Sequence, residues 1–378
     1  MNRSLNHLSI ACSMAHSPLF SLTKGQARGS FSLIRTAVYR LFSNALDDWS
    51  NDDLEIRRVS FGEIAGSGVW IDGYFLQTNP VTVTEECEKT FRDTVFANIT
   101  GGSDVYALYI YHSGSVVTVD RSMFCDIHLD QSFVTVYIRD TKFFALLLSC
   151  FYRLTTRDYT SFAISYDGGV CNQVVIVNQT SEANTGGGVT MAGQYCCCRE
   201  KLVYISNNIS HVSVSAYHQG ITVGPVPANS YMVTMSQVVE TGTGAFIHIY
   251  LLSYPILFSN LNLIDNNPVT PNGCFQNNGA NDAMLKSCIF SMKESSVWFG
   301  SLYASQCKFY LVDCYFTGCI PPEHSYVDTS GLITTDTIST VIVRRIGEGI
   351  CKGGSKDFTS QAEHAMNYFV ICSLLFVV

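Results

Sequence analysis

The sequence predicts an all-β fold, a single-stranded right-handed parallel β-helix of about ten coils with a short N-terminal helical cap. Three observations carry that expectation. The composition is that of strands, an aliphatic phrase recurs about every 28 residues, and a tyrosine marker keeps phase with the phrase.

Composition comes first because it bounds the rest. Charged residues make up 14% of the chain and hydrophobic ones 47%, with Tyr, Phe, Val, Ile, Ser and Thr abundant and helix formers sparse, so strand is favoured throughout. At 378 residues the chain is long for one compact domain, which leaves two domains or one extended array.

The repeat favours the array. Two or three aliphatic positions in strand alternation are followed by a small or charged residue and then by Cys, Asn, Gln or a charged anchor. The anchors are Asp93, Arg121, Cys150, Gln179, Asn207, Gln237, Asn260, Cys288, Cys314 and Arg345. Independently, Tyr109, Tyr137, Tyr166 and Tyr195 each follow an anchor by 16 residues. One such coil cannot bury its apolar face alone. Stacking in parallel, about 4.8 Å per coil, gives a continuous core and satisfies the backbone of each strand from the coils on either side. In this register Leu146, Leu148 and Cys150 point inward over Val175, Val177 and Gln179, and the anchor sits at a corner. Inward Asp93, Arg121 and Arg345 would be costly, so those positions should be irregular or shifted by a residue.

Three segments follow. Residues 1–50 lack the repeat and read as a capping segment. Within it Ile34, Val38, Leu41, Phe42 and Leu46 have helical spacing, and a helix over Arg35–Leu46 would plug the end of the solenoid. Leu8 to Ala15, ending Ser13-Met14-Ala15, has some features of a secretory leader. Residues 51–351 are the β-helix, with Gly101-Gly102, Gly168-Gly169, Gly186-Gly187-Gly188 and Gly242 to Gly244 as turns. Residues 352–378 form a tail whose end, Tyr368 to Val378, is apolar but shorter than the ~20 residues of a spanning helix. Membrane association, if any, would run through that end.

Several function classes are disfavoured. A net charge of −8, with Arg344-Arg345 the nearest thing to a basic run, argues against nucleic acid. The fifteen cysteines include no Cys-x-x-Cys, and neither Cys196-Cys197-Cys198 nor Cys307, Cys314 and Cys319 has zinc-ligand spacing, so buried thiols are expected and no metal or other cofactor. His211, His218 and His248 lie in or beside strands without acidic or Cys partners at ligand spacing. No Ser-His-Asp grouping can be defended.

The phrase aliphatic-x-aliphatic-Ser/Asp-Cys/Asn, recurring over roughly Asp53 to Cys351, resembles the pectin-lyase-like right-handed β-helix superfamily, and within it families of protist cell-surface β-helix proteins. That resemblance implies architecture more than activity, since the superfamily holds lyases, hydrolases, esterases, adhesins and tailspikes. Val69-Trp70-Ile71-Asp72-Gly73 is similar to a pectate lyase strand in which a His follows the Asp, but Gly73 stands in that place. The Gly-His-Gly and Arg-x-Lys motifs of the hydrolases are absent.

The best stacked polar group is a corner patch of His128, Asp130, Arg157 and Asp158, where two carboxylates and an arginine from adjacent coils could hold calcium or a sugar. Asp47-Asp48 and Asp52-Asp53 read as turn or helix-end groups. Asn98, Asn178 and Asn208 begin glycosylation tripeptides, and Asn2 a fourth. The sequence-level expectation is a monomeric, non-enzymatic β-helix of the cell surface whose Tyr- and Thr-rich flank binds a protein or glycan. The alternative is a polysaccharide lyase or glycoside hydrolase.

Overall fold

The computed structural model describes residues 2–334 with breaks at 14–17, 23–28, 51, 73–85, 103–104, 130–133, 157–158, 165–170, 178–179, 183–184, 187–191, 197, 211–212, 215–217, 224–227, 237–238, 241–244, 250–255, 260–261, 267–274, 278–280, 297–298, 302–306 and 321–322. For most strands between 159 and 277 it describes the backbone course alone. Every described element is a strand and every described pairing is parallel, so the chain is an all-β parallel β-solenoid.

Each coil contributes three short strands. In the fifth coil these are Ser115–Asp120, Met123–Leu129 and Val134–Arg139. The first two strands of the coils belong to one 25-stranded sheet that folds over a corner, and the third strands form an 11-stranded sheet, both counted among the described residues. From Asn2 to Ile164 the chain makes about six turns, and parallel pairing continues to the strand Val327–Thr334.

Two residues with left-handed backbone shape each of the second to sixth coils. Arg35, Arg58, Asp93, Arg121 and Leu148 stand at the corner between the first and second strands. Arg40, Glu63, Asn98, Asp126 and Arg153 each follow five residues later. Their φ values lie between 45° and 59°, a conformation that costs about 1–2 kcal/mol per non-glycine residue. Part of that cost is offset because the corner residue keeps its rung. The N–H groups of Arg35, Arg58, Asp93 and Arg121 donate to the carbonyls of Arg57, Arg92, Asp120 and Leu147 on the next coil at 2.9–3.0 Å.

The residue after the corner turns inward and must satisfy its own polar group. Thr36, Thr94, Ser122 and Ser149 donate their hydroxyls to the carbonyls of Ile34, Arg92, Asp120 and Leu147, and Cys288 and Cys314 do the same with their thiols to Lys286 and Val312. Asp93 and Arg121 therefore face outward, and the one-residue shift expected for charged anchors is what the chain adopts. The anchors chosen by residue type mixed two positions: Asp93 and Arg121 are left-handed corner residues, whereas Cys288 and Cys314 are the inward residues after them.

The interior is a set of columns. Leu54 and Ile56, Phe91, Val117 and Val119, Phe144 and Leu146, and Val174 and Ile176 line the first strands and are fully buried or nearly so. The second strands carry a phenylalanine column, with ring centroids 5.2 Å apart for Phe61 and Phe96, 4.9 Å for Phe96 and Phe124 and 4.8 Å for Phe124 and Phe151. A second run joins Phe290 to Phe316 at 4.6 Å. Val69, Ile71, Leu108, Ile110, Val136 and Ile138 close the third side. Among the described residues Cys87, Cys125, Cys171, Cys288, Cys307 and Cys314 are buried thiols, and burial pushes those of Cys125 and Cys171 up to about 11.

Three expectations are corrected. The N-terminal helical cap does not form: Ser30–Ile34, Ala37–Leu41 and Leu46–Asp48 are the strands of an ordinary coil, paired with Asp53–Arg57, Ser60–Ile64 and Val69–Asp72. The count of about ten coils from Arg58 to Arg345 does not stand either, since two coils precede Arg58 and Arg345 lies outside the described residues. Finally, Leu146 lies over Ile176 rather than Val175, and Leu147 over Val177, which in turn pairs with Ile205. The layers are successive and Leu146 is inward as expected, but in the following coil Val174 and Ile176 are the inward residues in place of Val175 and Val177. The tail 352–378 lies outside the described residues.

Candidate functional site

The outward face of the second sheet collects the aromatic residues of the third strands. Strand alternation sends Ile71, Ile110 and Ile138 inward and therefore Trp70, Tyr109 and Tyr137 outward, where parallel pairing stacks them one per coil. Trp70 and Tyr109 stack at 4.0 Å between centroids with planes 16° apart, and Tyr109 and Tyr137 at 5.3 Å with planes 6° apart. Tyr106 closes against all three rings at 5.1 to 5.9 Å. Gly68 permits this, because a Cβ there would lie 2.6 Å from the Ala107 carbonyl and close to the Phe96 ring, holding the two coils apart.

A polar column runs beside the rings. Asp72, Tyr111 and Arg139 pair in successive coils, the Arg139 guanidinium lies 4.7 Å above the Tyr111 ring, and Arg139 shares a side-chain hydrogen bond with Tyr137. Burial, with the Asp72 carboxylate next in effect, pushes the Tyr109 phenol well above its ordinary range, so it remains a donor. At the N-terminal end of the ring column stands Asp47, paired with Trp70; its carboxyl is raised by burial against the lowering effect of the Asn44 amide, which donates to Oδ1 at 2.9 Å. The face thus combines a rigid row of ring edges and hydroxyls with two carboxyls and one guanidinium.

The tyrosine marker is only partly this column. Tyr109 and Tyr137 are stacked neighbours, but the next pairing partner is Ala163 and then Tyr195, and Tyr166 lies outside the described residues. Trp70 belongs to the column without belonging to the marker. The signal that finds it is the alternation Val69-Trp70-Ile71 in the same phase as Leu108-Tyr109-Ile110.

Of the corner patch, His128 is exposed on Met123–Leu129, paired between Thr100 and Thr155, whereas Asp130, Arg157 and Asp158 lie outside the described residues. Asn98 is exposed with φ 52°, Asn178 lies outside the described residues, and Asn208 pairs with Thr180 and Thr234. His218 and His248 sit in strands, paired with Ala245 and with Thr222 and Gln276, while His211 lies outside the described residues. No group of three or more His, Cys, Asp or Glu side chains converges to hold a metal among the described residues.

A second group lies inside the solenoid, where Asp48, expected at a turn or helix end, instead closes the strand Leu46–Asp48 and is buried. Lys89 and Asp48 are both 0% exposed, and Ser50, Cys87, His112 and Ser115 surround them with at most 1%. Lys89 occupies an inward position of Cys87–Arg92, between Cys87 and Phe91. Its alternation with them was the available signal.

With this geometry in hand, comparison with protein-family models, with curated proteins and with solved structures finds no match for the chain.

Proposed function

We propose that the chain is a non-enzymatic binding protein of the cell surface, a β-solenoid whose aromatic face engages a glycan or a protein. The carrying observation is the row Trp70, Tyr109 and Tyr137, bordered by Asp72, Tyr111 and Arg139. Rings stacked face to face offer their edges and hydroxyls rather than their faces, so the row suits a hydroxyl-rich ligand better than a greasy one. Its rungs recur at the coil spacing of about 4.8 Å, which matches a polymer lying along the axis. Rigid aromatic residues also lose little entropy on binding, as favoured contact residues do. The likeness of the repeat to pectin-lyase-like proteins, including protist surface families, supports display outside the cell. Among the described residues no helix is long and apolar enough to cross a membrane, and the apolar end Tyr368 to Val378 lies outside them.

A second reading, a carbohydrate-active enzyme, is favoured by one observation: Asp47, raised, and Asp72 flank Trp70 on the same face. Glycan-array binding measured beside turnover of pectin-like polymers separates the two. Binding that is lost in Trp70→Ala/Tyr109→Ala, without turnover, is the expected result. Turnover that disappears in Asp47→Asn or Asp72→Asn would establish the enzyme instead, and full binding by the aromatic double variant would remove this face from the function.

A further inference from the structure

The buried pair inside the solenoid is placed for chemistry as well as for packing. Lys89 Nζ lies 2.5 Å from Asp48 Oδ2, and its other contacts are the backbone carbonyls of Asp52 at 2.8 Å and Ser50 at 3.3 Å. The other carboxyl oxygen, Asp48 Oδ1, accepts from the Ser50 hydroxyl at 2.6 Å and the Ser50 N–H at 2.9 Å. Water is excluded from both partners. The nucleophile and the electrophile come from strands 41 residues apart in sequence, and only the completed stack brings them together.

We propose that Lys89 and Asp48 become joined by an intramolecular isopeptide bond, formed between the lysine amine and the aspartate side-chain carboxyl with loss of one water. In the first step of the reaction a proton passes from Nζ to Oδ2 across the short contact, so that an amine faces a carboxylic acid. Nζ then attacks Cγ. The Nζ–Cγ bond forms, negative charge collects on Oδ1, and the two Ser50 donors stabilise it as an oxyanion hole does. A second proton moves from Nζ to the Oδ2 hydroxyl, the Cγ–Oδ2 bond breaks, and water departs. One hydrogen stays on the amide nitrogen, where the Asp52 carbonyl accepts it. Nothing is oxidised or reduced, and no co-reactant is needed.

Two features favour the reaction over a permanent ion pair. Holding both groups in contact supplies effective molarities on the order of 10⁵ M or more. The amide also removes both buried charges, whose desolvation works against the ion pair. His112, 1% exposed, lies in the same group, and burial holds its imidazole down to about 4. It is neutral at physiological pH and adds no third charge. The surface pair Lys142 and Glu86 provides an internal contrast, in contact but half exposed on both sides, where water competes and no bond should form.

Intact mass spectrometry of the denatured full-length chain tests the proposal. The expected mass is one water below that of the sequence, and trypsin should release a branched peptide joining Asp48 to Lys89, with no cleavage after Lys89. Lys89→Met and Asp48→Leu, each conserving bulk, should restore the full mass, and Ser50→Ala should slow the loss of water. Full mass in the natural chain, with Asp48 and Lys89 in separate peptides, overturns the proposal. So does a water loss mapped elsewhere, such as a cyclic imide at Asp72-Gly73.

Discussion

Arg121 reaches back one coil to Asp93, its Nε 2.7 Å from Oδ1, with both residues in the left-handed backbone that non-glycine residues seldom adopt. The same guanidinium lies 3.1 Å from Asp120, which also meets Arg92 at 3.1 Å. The corner is thereby tied by a short ladder of alternating charge, mostly shielded at Asp93, Asp120 and Arg121. Burial raises the Asp120 carboxyl, and Arg121 is the first of the charges opposing that rise. Replacing Arg121 with Met keeps the side-chain bulk and removes the charge. Denaturant unfolding should then show a loss of about 1–3 kcal/mol, and the Asp120 carboxyl should titrate higher still.

Phe124 sits between Phe96 and Phe151, with ring planes within 4° of both, and is fully buried. Its removal opens a gap in the middle of a column that the coils cannot close without breaking register. Phe124→Ala should cost about 3–5 kcal/mol, read as a lower denaturation midpoint. Phe124→Leu should cost less, and a cost under 1 kcal/mol for the alanine variant would mean that the column is not packed as described.

His112 sets a pH dependence. Its pKa falls from 6.5 to about 4 in the folded chain, so the unfolded chain binds the proton more readily. The stability associated with neutral His112 is fully present above pH 6.5 and is lost as pH falls toward about 4. Between pH 7 and pH 5 the loss should be about 2 kcal/mol. Asp47 and Asp120, raised by burial, work in the opposite direction at lower pH. Comparing the natural chain with His112→Gln at both pH values isolates the imidazole, and equal losses in the two would exclude it.

The parallel stack was legible in the sequence because a parallel solenoid writes its repeat into aliphatic spacing. The phase was not, for a physical reason. A left-handed residue interrupts strand alternation, so inward positions step by three across it. Leu33, Thr36, Val38 and Leu41 are all inward, around Arg35 and Arg40, and that spacing imitates a helix. Of the five residues that suggested a helix, Val38, Leu41 and Leu46 are inward, whereas Ile34 is half-buried and Phe42 is exposed, so the mimicry accounts for only part of that spacing. Arginine and leucine, which hold the corner at Arg35, Arg58, Arg121 and Leu148, are also poor sequence markers of positive φ, which concealed it. The aromatic face was half visible through Tyr109 and Tyr137. The Lys89–Asp48 contact was hidden because pairing across 41 residues depends on the order in which coils stack.

From the second to the sixth coil the two left-handed residues keep a constant separation of five, while the number of residues from one coil to the next varies. Arg40 is followed by Arg58 after 18 residues and Glu63 by Asp93 after 30, with the strands on both sides still in parallel register. Growth of the chain thus falls on the side of the third strand, in the loops before and after it, since Leu108 follows Asn98 by 10 residues where its partner Val69 follows Glu63 by 6. A foreign peptide grafted between Asp72 and Cys87 would be carried as cargo on an unaltered frame, which makes that side the natural place for lineages to diversify and for engineers to display an epitope.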